Sequence, residues 1–275
     1  TVDPQTVWKE YTSDYYRMDQ SYRQFHLCFQ RSLKESNPDL DDLFKSVTEQ
    51  VEGLYTHWFL DGLGQNWTTA CAENLEQYGH ILEIPQQEDF YNTKIRPADN
   101  RIYVIVSDAF RYEVAAALAE DLQREMQCNV SLSSCEGLFP TVTKFGMAAL
   151  LPHKKLSAVL RENGTLAVLA DGQPTDAGYR DGILKSTNPN SVALKYDDLI
   201  VLKREERQAL VRGMDVVYIF HDAVDKASHT WDSAVFTACD EAISQIKNMM
   251  KIIVNYFGGT NILVTADHGF IYTYS

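Results

Sequence analysis

The chain has 275 residues, 45 % of them apolar, enough to bury the core of one large domain or of a domain with an appendage. Its net charge of −13 argues against non-specific nucleic-acid binding by the bulk surface, because neutralising phosphates needs clustered Lys and Arg, although a local cationic pocket remains compatible. No apolar run approaches the roughly 20 residues of a membrane span, the start TVDPQTVWKEY has no signal-peptide core, and Cys28, Cys71, Cys128, Cys135 and Cys239 form no CxxC pair, so the chain reads as cytoplasmic with buried, reduced thiols.

Residues 1–97 read as helical. In residues 7–32, Tyr11, Tyr15, Met18, Tyr22, Phe25 and Phe29 recur at spacings of three and four, which is one helix face. Asn37-Pro38-Asp39 breaks that helix. A second is expected over residues 40–62, with Leu43, Val47, Val51, Leu54 and Trp58 facing inward, and a third over 67–78. Such an aromatic stripe is ordinarily packing, so this region is expected to be a helical appendage or a docking surface. Residues 85–100 are polar, contain two prolines and read as a connector.

From Arg101 the pattern becomes alternating strands and helices, the mark of a parallel α/β sheet. Ile102–Val106 is a β-branched apolar run of the kind buried on both sheet faces, and it stops at Ser107-Asp108. A helix follows at 112–126, then a short strand at 129–134, a turn through Phe139-Pro140-Thr141-Val142-Thr143 and a short helix at 144–151. Residues 157–170 read as short strands around Asn163-Gly164, and 171–190 as a long polar excursion. Minor strands are expected at 192–194 and 199–202, a helix at 205–212, a buried strand at 215–220, a long helix at 231–257 and a last buried strand at 261–266, which ends in Asp267-His268-Gly269.

Several strand ends thus deliver metal-type ligands at the edge where open α/β sheets bind ligands: Asp108, the Asp225/His229 pair at helical spacing, and Asp267-His268. Carboxylate and imidazole suit zinc, manganese and similar ions. Two metals about 4 Å apart suit in-line displacement at phosphorus. Thr141 and Thr143 precede a helix, where a hydroxyl could serve as nucleophile. Arg111 and Lys144 lie near enough in sequence to hold a phosphate. Each residue also has an ordinary reading: Asp108 and Thr143 as helix caps, Asp225/His229 as a solvated helix face.

These residues carry a family resemblance. VSDAFRYE, FPTVTKFGMAALLP, YIFHDAVDKASH and VTADHGFIY are similar to the core motifs of the PglZ domain, a branch of the alkaline phosphatase superfamily. YYRMDQSYRQF, VEGLYTHWFLDGL and PQQEDFY resemble the segment before that core in the type found in bacteriophage-exclusion (BREX) systems, so the likeness covers nearly the whole chain. It implies an alkaline-phosphatase-like α/β fold, a mostly parallel sheet flanked by helices over residues 98–275, after an all-α domain over 1–97. It implies up to two zinc or manganese ions, one held by Asp108, Thr143, Asp267 and His268 and the other by Asp225 and His229, with Thr143 as nucleophile. In relatives the position of His229 is often Asp. A third ligand to the Asp225/His229 metal usually comes from well beyond the Asp-His pair, whereas this sequence runs only six residues past Gly269, so the chain reads as C-terminally truncated or that site as incomplete, with His221 a weak substitute.

The expected function is metal-dependent hydrolysis of phosphate esters, as phosphatase, phosphodiesterase or nuclease, within a phage-defence complex of BREX proteins. The rival is a catalytically weak scaffold subunit with a structural metal. A phosphoglycerate-mutase-like enzyme shares the ligands but needs a phosphosugar pocket that the sequence does not display.

Overall fold

The computed structural model describes residues 2–33, 40–125, 128–229 and 234–274. Its centre is a four-stranded parallel sheet of order β5-β6-β1-β7, in which β1 is Ile102–Ser107, β5 Ser191–Lys195, β6 Val216–His221 and β7 Ile262–Thr265. β1 is buried along its whole length because both faces are covered, as its unbroken apolar run demands. Tyr103 and Ile105 face one core with Phe236, Ile246 and Ile253, whereas Val104 and Val106 face another with Met147, Leu151 and Leu184. Beside the sheet, β2 (Leu156–Leu160), β3 (Leu166–Ala170) and β4 (Gln173–Pro174) form an antiparallel sheet around the Asn163-Gly164 turn.

The N-terminal third is helical. α1 (Pro4–Glu10) runs through a π turn into α2 (Tyr16–Leu33), and α3 (Asp41–Gly53) through another at Leu54–Leu60 into α4 (Asp61–Tyr78). The expected second and third helices are therefore one continuous rod. The expected break at Asn37-Pro38-Asp39 lies outside the described residues. The faces also differ from expectation. Leu43, Leu54 and Trp58 are 59 %, 60 % and 68 % exposed, and Tyr15, at the end of the π turn, and Met18 on α2 are exposed too. Tyr55 and Phe59 are buried instead. Two specific contacts select that face: Tyr55 stacks on Tyr22 with ring centroids 3.7 Å apart, and its hydroxyl donates to Asp19 Oδ1 at 2.7 Å. The inner face of α2 is polar as well as aromatic. Arg23 is buried and its Nε donates to Glu113 Oε1 at 3.0 Å, while Gln20 Nε2 donates to the Glu113 carbonyl at 2.9 Å. Period counting on apolar residues alone misses such a face.

Residues 85–100 are no polar tether. Turns at Gln87–Asp89 and Tyr91–Ile95 bury Phe90, Tyr91 and Ile95 under the sheet. Residues 129–134 have no ladder partner and run as an exposed loop rather than a strand. The excursion at 171–190 contains a helix, α7 (Arg180–Thr187), after α5 (Tyr112–Glu125) and α6 (Thr143–Ala149); its Ile183 and Leu184 pack on the sheet. Residues 199–201 belong to a helix, α8 (Tyr196–Val201), whose first turn holds Asp197 and Asp198, and not to a strand, and Leu202 caps it. α9 (Arg204–Val211) and α11 (Ala234–Phe257) follow as expected, with a short helix, α10 (Ala223–Ser228), between them. β7 is half-buried rather than fully buried, because β1 flanks it on one side only among the described residues. The cysteines are unpaired, but only Cys71 and Cys239 are buried. Among the described residues no helix is long and apolar enough to cross a membrane.

Candidate metal centre

β1 and β7 are adjacent and parallel, so the residues that follow them emerge side by side at one sheet edge. Asp108 leaves β1 with its N–H donating to the His221 carbonyl at 2.7 Å, which ties it to β6 on the other side. Ala109 then takes φ +60°, a left-handed conformation that costs an L-residue roughly 1–2 kcal/mol. The turn aims the Ala109 N–H at Asp267 Oδ1, 3.0 Å away, so local strain is exchanged for a contact between the two strand ends.

Thr143 is brought in by α6, as the first helical residue with Val142 at the cap position. That approach requires Gly146, because a Cβ there would lie 2.1 Å from the Asp267 carbonyl oxygen. Thr143 Oγ1 lies 3.1 Å from His268 Nε2 and 3.4 Å from Asp108 Oδ1. His268 Nε2 lies 3.4 Å from Asp108 Oδ1 and 3.6 Å from Asp267 Oδ2. Asp108, Asp267 and His268 form a group whose ligand atoms all fall within 4.8 Å of one another. The four residues expected around one cation are thus together in space.

The electrostatics suit a cation. Burial, and then the neighbouring charge of Asp108, push the Asp267 carboxyl up to about 7. Contact with Asp108, opposed by burial, raises the His268 imidazole. Asp267 Oδ2 and His268 Nδ1 are buried without a hydrogen bond. A buried carboxylate oxygen left without a hydrogen bond is expensive. Two carboxylates, an imidazole and a hydroxyl are the donor set of zinc or manganese, so the residues present fit such an ion.

Asp225 and His229 differ. They stand at the end of β6, next to β1, with His229 Nε2 3.5 Å from Asp225 Oδ2. His229 is 76 % exposed in its side chain. Asp225 is raised by burial and by the charge of Asp108, which puts it within electrostatic reach of the first cluster. Among the described residues no third donor joins this pair. His221 is not positioned to do so: its Nε2 contacts Gln245 Oε1 at 2.7 Å and its Nδ1 contacts Ser107 Oγ at 2.8 Å.

The two cations expected to hold phosphate are not brought to the cluster. Arg111 turns inward, its Nε 2.9 Å from Glu113 Oε1 and its guanidinium 3.7 Å over the Tyr272 ring. Lys144 Nζ is exposed and donates to the Leu166 carbonyl at 2.9 Å. Arg180 is a cation within electrostatic reach of the cluster. Its Nε donates to the Thr175 carbonyl at 3.2 Å, its guanidinium lies 4.6 Å over Phe220, and Asp108 and Asp267 act on it electrostatically. Among the described residues it has no carboxylate partner within salt-bridge distance. Nothing in the sequence flagged it, because it lies in the stretch read as a polar excursion, and only packing on β6 places it.

The family profile described as "BREX system PglZ alkaline phosphatase-like domain" matches residues 90–275. The chain is 38 % identical over 279 residues to an alkaline phosphatase-like protein BrxZ of Escherichia coli O9:H4 (strain HS). It is 31 % identical over 274 residues to an alkaline phosphatase-like protein PglZ of Bacillus cereus (strain H3081.97). Each match covers 98 % of this chain and 31 % of the relative, so the chain spans about a third of the length of these relatives.

Proposed function

From the premise that the chain belongs to the PglZ family of alkaline phosphatase-like domains, we propose that it hydrolyses phosphate esters with a divalent cation, zinc or manganese, as part of a BREX defence assembly. The observation that carries this reading is the convergence of Asp108, Asp267, His268 and Thr143 on one point, with a buried Asp267 oxygen that makes no hydrogen bond. When bound, the cation supplies charge that stabilises phosphoryl oxygens and acidifies a hydroxyl or water.

The chain's own residues do the rest. Asp108, Asp267 and His268 bind the cation, and Thr143 joins them as ligand and nucleophile. Asp108 Oδ1 lies within reach of the Thr143 hydroxyl proton and, as a carboxylate oxygen with a further lone pair, is the group to receive it. Arg180, held by Thr175 and Phe220 within electrostatic reach of Asp108 and Asp267, is the cation assigned to the non-bridging oxygens of the ester. Asp225 and His229 form a second, weaker position. In this reading residues 98–275 carry the chemistry and residues 1–97 a helical cover. Turnover of bis-p-nitrophenyl phosphate with added zinc or manganese, in wild type and in Asp267→Ala, tests the assignment; equal rates remove it.

One observation favours a second reading, a scaffold with a structural metal: Leu43, Leu54 and Trp58 form an exposed apolar stripe on the α3–α4 rod, suited to docking on other BREX proteins. Trp58→Glu with unchanged turnover and lost co-purification of partners would support docking as a separate property of that face.

A further inference from the structure

The chemistry proposed above draws on strand ends inside the matched family domain, but the Asp267 turn is held from outside it. Gln87 precedes the matched residues and is buried. Its Nε2 donates to the Asp267 carbonyl at 2.6 Å and to the Ala266 carbonyl at 3.1 Å. Its Oε1 accepts from the Leu138 N–H at 3.0 Å. Leu138 opens the loop that leads through Pro140 and Val142 to Thr143. One amide therefore joins the turn that presents Asp267 and His268 to the loop that presents Thr143.

Gln87 is itself fixed. Its N–H donates to the Glu136 carbonyl at 2.9 Å, the Glu136 N–H donates to the Pro85 carbonyl at 2.8 Å, and buried Glu136 accepts from the Ile81 N–H and from Gln86 Nε2. The Asp267 peptide is clamped from two directions, by the Gln87 amide and by Gly146, which lets α6 sit directly on its carbonyl. Only an amide can do this at position 87: a Glu carboxylate would face two carbonyl oxygens, and Leu or Met would leave three backbone groups unpaired.

We infer that Gln87 is a positioning residue of the cation site, setting the spacing between Thr143 and the Asp267-His268 pair from a segment that lies before the alkaline phosphatase-like domain. The inference rests on the reading that Asp267 and His268 hold a cation. Partners that orient ligands in this way typically change metal affinity by about 10- to 100-fold when removed.

The test uses cobalt as a spectroscopic substitute in the intact protein. Gln87→Leu is expected to bind cobalt about 10- to 100-fold more weakly, with an altered visible spectrum. Gln86→Leu, whose side chain serves Glu136 and the Ile84 carbonyl rather than Asp267, is expected to lower Tm yet leave the spectrum as in wild type. A folded Gln87→Leu with wild-type affinity and spectrum overturns the inference, as does a Gln86→Leu that alters the spectrum equally. If Gln87→Leu fails to fold, the side-chain amide resonances of Gln87 in wild type decide: they should move on cation addition, and their constancy overturns the role. Wild type that takes up no cobalt removes the cation reading and this inference together, whereas identical uptake by wild type and Gln87→Leu removes only the latter.

Discussion

Two places on the same sheet edge carry an acidic residue with a histidine close by in sequence, and their surroundings set them apart. After β7, Asp267 and His268 are enclosed by α6, the β1 turn and the Gln87 amide, and a buried carboxylate oxygen is left without a hydrogen bond. After β6, Asp225 and His229 pair with each other across one helical turn, and the histidine stands mostly in solvent. An ion at the first place replaces an unfavourable desolvation, whereas at the second it must compete with water for an exposed imidazole. Enclosure, rather than residue type, separates a strong candidate site from a weak one.

The sharpest way to break this contrast is substitution at the enclosed site. Asp267→Ala should weaken manganese or zinc binding at least about 100-fold, more than loss of an orienting partner costs, as read by isothermal titration. Next, Gly146→Ala should destabilise by about 1–3 kcal/mol and weaken cation binding together, because the added methyl drives α6 off the Asp267 carbonyl; thermal melts and titration check both. His229→Ala should be mild, below about tenfold in cation affinity, and an effect as large as that of Asp267→Ala would erase the distinction.

The smallest effects are in pH. Asp267 rises from 3.8 to about 7 on folding, so the folded metal-free protein holds a proton that the unfolded chain has released. That contribution to stability is present at low pH and is lost as pH rises from about 4 to about 7; the raised His268 acts in the same direction. Denaturant melts of metal-free protein should show this decline, flattened in Asp267→Asn. Cation affinity should run the opposite way, increasing with pH up to about 7 as Asp267 releases its proton, while binding at Asp225/His229 alone would follow a different profile.

Much of the site was legible because its signals are local. A β-branched run ending in Asp marks both a buried strand and the edge where its carboxylate emerges, so Asp108, Asp267 and His268 could be named from order alone. Arg180 and Gln87 could not, since a cation in a Gly- and Asp-rich stretch and a glutamine in a Pro-flanked one carry no periodicity. The inward stripe on α3 failed for a related reason. Leu43, Leu54 and Trp58 satisfy helical spacing, but the partner surface of Tyr22, Asp19 and Phe236 rewards Tyr55 and its hydroxyl.

The amino-acid order by itself determined that β1 and β6 would be buried parallel strands, that β7 would follow the long helix, and that residues of metal-ligand type would stand after them in sequence, because hydrophobic burial and strand period act within a few residues. Tertiary structure alone decided which of those ligands lost their water, which arginine came within their electrostatic reach and which helix face met the core. Those outcomes depend on surfaces contributed by residues dozens to hundreds of positions away, and no local pattern encodes the distance at which they meet.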